Sequence, residues 1–283
     1  MTHLSPAKIN LFLHVISKRA DGYHNLQTIF QLLDYGDKIS FNYRKDGQIN
    51  RIYGNEDIPQ DKDLILRSAN ALKEISGTKD GVDIGVIKNI PTGSGLGGGS
   101  SNAATVLIAL NDLWNLKLSK SELLKIGQTL GSDVPIFISG QSSWAEGTGE
   151  ILTPISLPKY FYLIVSIDKY ISTQEIFTHK ALTMSPVQRK MSDFSSVSNP
   201  HNDCLGAAIQ LEGEIVEALT YLDSTEKHHG IARMTGSGCC VFVAFEKEKD
   251  ALIANKKLPS KWSGFVAKAI DKSPLYNWDV AKR

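Results

Sequence analysis

Between Pro91 and Ala104 the chain reads Pro-Thr-Gly-Ser-Gly-Leu-Gly-Gly-Gly-Ser-Ser-Asn-Ala-Ala, with five glycines inside seven residues. Glycine admits positive φ and lets other atoms approach the backbone closely, at an entropic cost that idle loops seldom carry. An alternating run, Val82, Ile84 and Val86, leads into the loop as a strand. Ala103 to Leu116 follows it as a helix that is apolar nearly all round and therefore central and buried. A glycine loop held between a strand and a buried helix gathers unpaired N–H groups at the positive end of the helix dipole. That is an anion site suited to phosphates. A flexible linker is the competing account, but linkers do not abut apolar helices in this way.

Three known phosphate motifs compete for the loop. A Walker P-loop needs Gly-Lys-[Ser/Thr] after its glycines, and no lysine occurs between Lys88 and Lys117. Gly93-x-Gly95-x-x-Gly98 matches the dinucleotide fingerprint. That fingerprint requires an acidic residue ~20 positions on, at the end of a second strand. The corresponding region here, around Asn111 and Asp112, lies in the predicted helix. The V-A-I-K, H-R-D and D-F-G signatures of protein kinases are absent.

Composition narrows the partners. Thirty-one basic residues against thirty acidic ones leave a net charge of +1 and no basic patch, so the chain is not expected to bind nucleic acid. The N-terminus lacks the basic and apolar regions of a signal peptide, and no apolar run approaches the ~20 residues of a membrane span. A cytoplasmic location without a membrane partner is the expectation. Three cysteines, two of them adjacent at Cys239 and Cys240, fit neither a disulfide framework nor a zinc site and read as small buried hydrophobes. The partner expected is a small-molecule substrate, with monomer and homodimer both open.

The rest of the chain mixes strands and helices without regular βα alternation, which predicts an α+β fold with two lobes. From Ala7 to Val15 the pattern alternates, with Ala7, Ile9, Leu11, Leu13 and Val15 on one face and Lys8, Asn10, Phe12 and His14 on the other. Asp21-Gly22 marks a turn before a strand from Gln27 to Leu33, and Asp46-Gly47 predicts a hairpin between Phe41–Tyr43 and Ile49–Tyr53. Leu64 to Ile75 reads as a helix stopped by Gly77. Ser119 and Glu122 form a capping box for a helix running to Leu130. Gly140 to Thr153 is predicted as loop, and Pro154 and Pro158 mark a boundary between domains 1–155 and 156–283. Beyond it come a strand at Phe161–Ile167, an extended loop from Met184 to Asn202, a helix at Glu212–Leu222 and a second glycine turn within Met234–Phe245.

The loop as a whole, P-x-G-x-G-L-G-G-G-S-S, resembles the phosphate loop of the GHMP kinases. The resemblance extends through Ser5–Leu13, Arg19–Thr28, Phe30–Asp37, Leu130–Pro135, Ala145–Glu150, Asn202–Cys204, Thr235–Gly238 and Gly264–Lys268. Each segment is weak alone; nine in order are specific. The resemblance implies a two-lobed α+β kinase with an N-terminal ATP-binding lobe, a C-terminal substrate lobe and the active site in the cleft between. It implies ATP as phosphoryl donor, Mg²⁺ with the nucleotide, and a small-molecule alcohol as acceptor. Pro91, Thr92, Gly93, Ser94, Gly95, Leu96, Gly97, Gly98, Gly99, Ser100 and Ser101 would then bind the nucleotide.

The remaining candidates divide between an ordinary reading and the one the resemblance implies. Asp133, before Val134-Pro135, reads on its own as a helix N-cap; the resemblance makes it the catalytic base. Lys8 reads as a solvated lysine on an edge strand; the resemblance sets its ammonium beside Asp133 as the second catalytic residue. Asn10 shares the face of Lys8 and would bind substrate. Tyr23 and His24, otherwise half-buried and solvated, resemble a pair that recognises a cytosine base, with Thr173 and Phe177 as the second wall. Thr235-Gly-Ser-Gly238 is either an ordinary turn or a second glycine turn closing over the site. The Asp63-Leu64 pair stands where the family often has Asn-Leu near adenine, so the role of Asp63 in adenine binding is open, and no carboxylate is marked as a metal ligand. A different alcohol acceptor, or a sensor of the same fold without turnover, are the alternatives.

Overall fold

Two long strands, β1 (Thr2–Lys18) and β2 (His24–Arg44), organise the molecule as an antiparallel hairpin across the Asp21-Gly22 turn. The computed structural model describes residues 1–56, 58–192 and 201–276. Beyond that hairpin come β3 (Ile49–Tyr53), α1 (Leu64–Ser76), β4 (Gly81–Ile87), α2 (Gly98–Leu113), α3 (Lys120–Leu130) and α4 (Val134–Ser139). They are followed by β5 (Ser143–Glu146), β6 (Ile151–Pro154), β7 (Phe161–Ser166), α5 (Thr173–Thr178), α6 (Leu205–Leu211) and α7 (Glu214–Asp223). The chain closes with β8 (His228–Met234), β9 (Cys240–Phe245), α8 (Glu248–Lys256) and β10 (Ser263–Ile270). The sheet runs β3-β4-β2-β10-β7-β9-β8, with β1 and β5 also pairing with β2.

Local signals carry through where a single side chain decides. Gly77 ends α1 in the left-handed conformation at φ +66°, and Ser119 and Glu122 close the capping box of α3 in both directions. Pairings between distant segments depart from expectation. β3 does not form a hairpin with β2; β4 lies between them, antiparallel to β2 and parallel to β3. The Asp46-Gly47 turn therefore leads into a crossover through α1. Gly140–Thr153 is not a loop: β5 and β6 form a hairpin there, and Thr28–Phe30 of β2 pairs with Ser143–Ala145. The predicted extended loop at Met184–Asn202 is irregular up to Ser192, and residues 193–200 lie outside the described residues.

β1 also breaks its own alternation. The pairing passes from Asn10↔Phe30 to Leu13↔Thr28, so β1 carries one residue more than β2 between those rungs. Such a bulge re-aims the side chains beyond it. Ala7, Ile9, Leu11 and Phe12 join one apolar cluster with Ile29, Leu33 and Trp144, whereas Leu13 and Val15 join another with Leu163, Val165 and Val241. A third cluster fills the space between β2, β4 and helices α1, α2 and α4. One strand thus contributes to two separate cores. The three cysteines are free and buried, and burial pushes the Cys204 and Cys240 thiols up to about 12.

Candidate active site

The glycine loop borders a cleft of about 600 Å³. Gly95 sits at φ +76° and Gly97 at φ +74°, and both are packed against other parts of the chain. A Cβ on Gly95 would stand 2.3 Å from the Thr235 carbonyl oxygen, and one on Gly97 would stand 2.8 Å from the Phe137 ring. Positive φ and close packing at the same residue leave no room for any side chain there. Gly97 is the N-cap of α2, and the first intrahelical bond runs from the Ser101 N–H to the Gly97 carbonyl at 2.8 Å. The N–H groups of the first turn before Ser101 therefore lack intrahelical acceptors, and the helix is anchored in the core from Ser101 to Asn111. Pro91–Gly95 and Gly97–Ser100 line the cleft. Leu96 and Ser101 point away from it: Leu96 is in the core, and the buried Ser101 hydroxyl accepts from Ser5 at 2.8 Å.

Beside the loop, Lys8 is only 2% exposed. Its backbone N–H donates to the Leu96 carbonyl at 3.0 Å, which ties β1 to the loop. Its Nζ donates to Asn10 Oδ1 at 2.6 Å, lies 3.2 Å from Asp133 Oδ2 and sits 5.2 Å from the centre of the Phe30 ring. An ammonium so enclosed is matched by a carboxylate, an amide oxygen and an aromatic face. Asp133 occupies the N-cap position of α4, yet its side chain makes no capping bond. The carboxylate is turned toward Lys8 instead.

Of the base-recognition candidates, Thr173 and Phe177 line the cleft, and Tyr23 and His24 are not in its lining. His24 is 8% exposed and stacks on Phe177 with centroids 5.2 Å apart; burial, and then the charge of Lys18, hold its pKa below the ordinary histidine value. Tyr23 is 61% exposed and lies in the turn outside the cleft lining, held by its backbone N–H to Asp21 Oδ1 at 3.1 Å. Burial is thus the reverse of the ordinary expectation for this pair. Thr173 and Phe177 of α5 line the cleft, and the Thr173 hydroxyl is 2.9 Å from that of Ser237 in the second glycine turn.

Asp63 lines the cleft but is already engaged. It caps α1 by accepting from the Ile65 N–H at 3.0 Å and pairs with Arg51 at 2.6 Å. Among the cleft residues that were not candidates read from the sequence, Lys88 and Tyr170 shape the loop. Lys88 pairs with the fully buried Asp37, whose other oxygen accepts from the Asn89 and Ile90 N–H groups, so this pair secures the approach to Pro91. Tyr170 lays its ring on Gly93, where a Cβ would meet it at 2.6 Å. Neither carries a local sequence signal, because each contact is made with a segment distant in sequence.

A glycine loop opening a buried helix, faced by a lysine–carboxylate pair, defines a small-molecule phosphotransferase site. The model of the GHMP kinases N terminal domain matches residues 63–141, which span α1 through the glycine loop to α4. A relative from Ruthia magnifica subsp. Calyptogena magnifica, a 4-diphosphocytidyl-2-C-methyl-D-erythritol kinase, is 57% identical over 100% of this chain and 99% of its own. One of that description from Cupriavidus metallidurans is 44% identical over 96% of this chain and 93% of its own. The crystal structure of a 4-(cytidine 5'-diphospho)-2C-methyl-D-erythritol kinase superposes with a TM-score of 0.79 at 30% identity, covering 95% of this chain and 99% of that one. The chain belongs to the 4-diphosphocytidyl-2-C-methyl-D-erythritol kinase family of the GHMP kinases.

Proposed function

We propose that this enzyme transfers the γ-phosphoryl group of ATP to the 2-hydroxyl of 4-diphosphocytidyl-2-C-methyl-D-erythritol, a step of the non-mevalonate route to isoprenoid precursors. The observation that carries the reading is the Lys8–Asp133 pair, 3.2 Å apart, in the cleft that the glycine loop borders. Asp133 accepts the proton of the attacking hydroxyl, and Lys8 keeps that carboxylate oriented while offering a proton to the transferring group. The loop and the first turn of α2 hold the nucleotide phosphates through backbone N–H groups. Asn10 fixes the acceptor near the pair, and Tyr23, His24, Thr173 and Phe177 hold its cytosine by stacking and edge hydrogen bonds. Residues 1–155 form the nucleotide-binding domain, and 156–283 complete the acceptor side.

Magnesium suits this cleft as an ion carried by the nucleotide. Among the described residues no three His, Cys, Asp or Glu side chains cluster to hold a metal. Ser100 lines the cleft whereas the Ser101 hydroxyl is engaged with Ser5, so Ser100 is the loop serine free to add an oxygen. Bound with ATP, the ion supplies neutralisation of phosphate charge. No helix among the described residues is long and apolar enough to cross a membrane, and we place the enzyme in the cytoplasm. The test is ATP-dependent phosphorylation of the cytidylated substrate against the bare polyol. Turnover confined to the cytidylated compound is expected; equal turnover of both overturns the cytidine assignment, and no turnover of either overturns the kinase reading.

A further inference from the structure

We propose that Thr28 is a positioning residue that fixes which way the Asn10 amide faces, and through it aims the ammonium of Lys8. The inference rests on the reading of Lys8 given above. The Thr28 hydroxyl donates to the Phe12 carbonyl, in the stretch of β1 that carries the bulge. A carbonyl can only accept, so the one hydroxyl proton of Thr28 is committed. Toward Asn10 the hydroxyl then presents lone pairs only, and they are met by Nδ2 of Asn10 at 2.9 Å. The amide oxygen must consequently face the other way, where it accepts from Lys8 at 2.6 Å.

Thr235 reinforces this sense from the second glycine turn. Its hydroxyl accepts from the Asn10 backbone N–H at 2.9 Å, which leaves its own proton directed at Asn10 Oδ1, 3.5 Å away. A reversed amide would set oxygen against the Thr28 lone pairs and an NH₂ against the Lys8 ammonium. Both contacts would be repulsive where Thr28, Asn10 and Lys8 are each at most 2% exposed. With the amide fixed, one Lys8 proton is held by Asn10 and one by Asp133, 3.2 Å away, and the ammonium is kept beside the Phe30 ring, 5.2 Å from its centre. The hydroxyl on β2 thereby sets the direction of a charge it does not touch.

The experiment compares Thr28→Val, which keeps the shape and removes the hydroxyl, with Thr28→Ser, which keeps the hydroxyl. Each is measured for kcat and for KM toward ATP and the cytidylated acceptor, with folding checked by circular dichroism. The valine variant is expected to lose about 10- to 100-fold in kcat while both KM values stay within about threefold, and serine is expected to restore kcat. A folded valine variant with unchanged kcat overturns the proposal, as does a folded serine variant no better than valine. Should valine not fold, Thr28→Ala against Thr28→Ser gives the same contrast. Lys8→Gln separates the two levels: retention of kcat there removes the reading of Lys8 and this proposal with it. Loss of kcat there beside a normal Thr28→Val removes only the proposal.

Discussion

The two ends of the cleft are built from different materials. The phosphate end is mostly backbone: positive-φ glycines wedged against Thr235 and Phe137, and a helix start whose following turns are buried. The end proposed for the acceptor is mostly side chain, with Thr173 and Phe177 of the six-residue helix α5 in the lining, His24 stacked on Phe177, and Tyr23 exposed in a turn outside the lining. Phosphates are alike in every nucleotide, so a rigid cradle of N–H groups suffices for them. A base must be told from other bases, and only side chains differ enough in shape and hydrogen bonding to do that. Backbone therefore serves the shared part of the proposed reaction and side chains the specific part.

Asp133 lines the cleft beside Lys8, and its loss is expected to have the largest effect. Asp133→Asn keeps the shape and removes the base, so kcat should fall roughly 10²–10⁴-fold with both KM values little changed. Steady-state kinetics checks this, and a near-normal kcat would remove Asp133 from its role. Gly95→Ala probes the backbone end. The new methyl meets the Thr235 carbonyl oxygen at 2.3 Å in a left-handed conformation that costs about 1–2 kcal/mol by itself. KM for ATP should rise at least about tenfold, with a lowered unfolding midpoint and a smaller change in KM for the acceptor.

Phe177→Ala probes the other end and should reverse that pattern. Loss of a stacking face on a base costs about 1–3 kcal/mol, so KM for the cytidylated acceptor should rise roughly 5- to 100-fold while KM for ATP holds. Equal effects on both KM values would break the division drawn above. The smallest effect is expected from pH. Burial lowers the His24 pKa in the folded protein, so the neutral imidazole is favoured there. Its contribution to stability is present above the unfolded value of 6.5 and is lost as pH falls from there through the lowered folded value. Acceptor KM should rise a few-fold on that acid side, and His24→Gln, which cannot titrate, should flatten the rise.

Much of this was legible before any tertiary structure. Five glycines ahead of an apolar helix specify a phosphate cradle because glycine's freedom and a helix start are both local properties. The capping box at Ser119 and the stop at Gly77 are local for the same reason. Reading Lys8, Asp133 and the Tyr23-His24 pair as functional depended on family resemblance, since each has an ordinary local explanation. Tertiary structure alone decided that Asp133 leaves its capping position empty-handed and turns to Lys8, that Asp63 is held by Arg51, and that β4 separates β2 from β3. It also decided where β1 bulges and which carbonyl Thr28 binds. These are contacts between separate elements, and no cap, turn or periodicity signal in the sequence links the partners. Propensity and spacing determine what a segment can become; which groups meet in the cleft is set by how the segments pack.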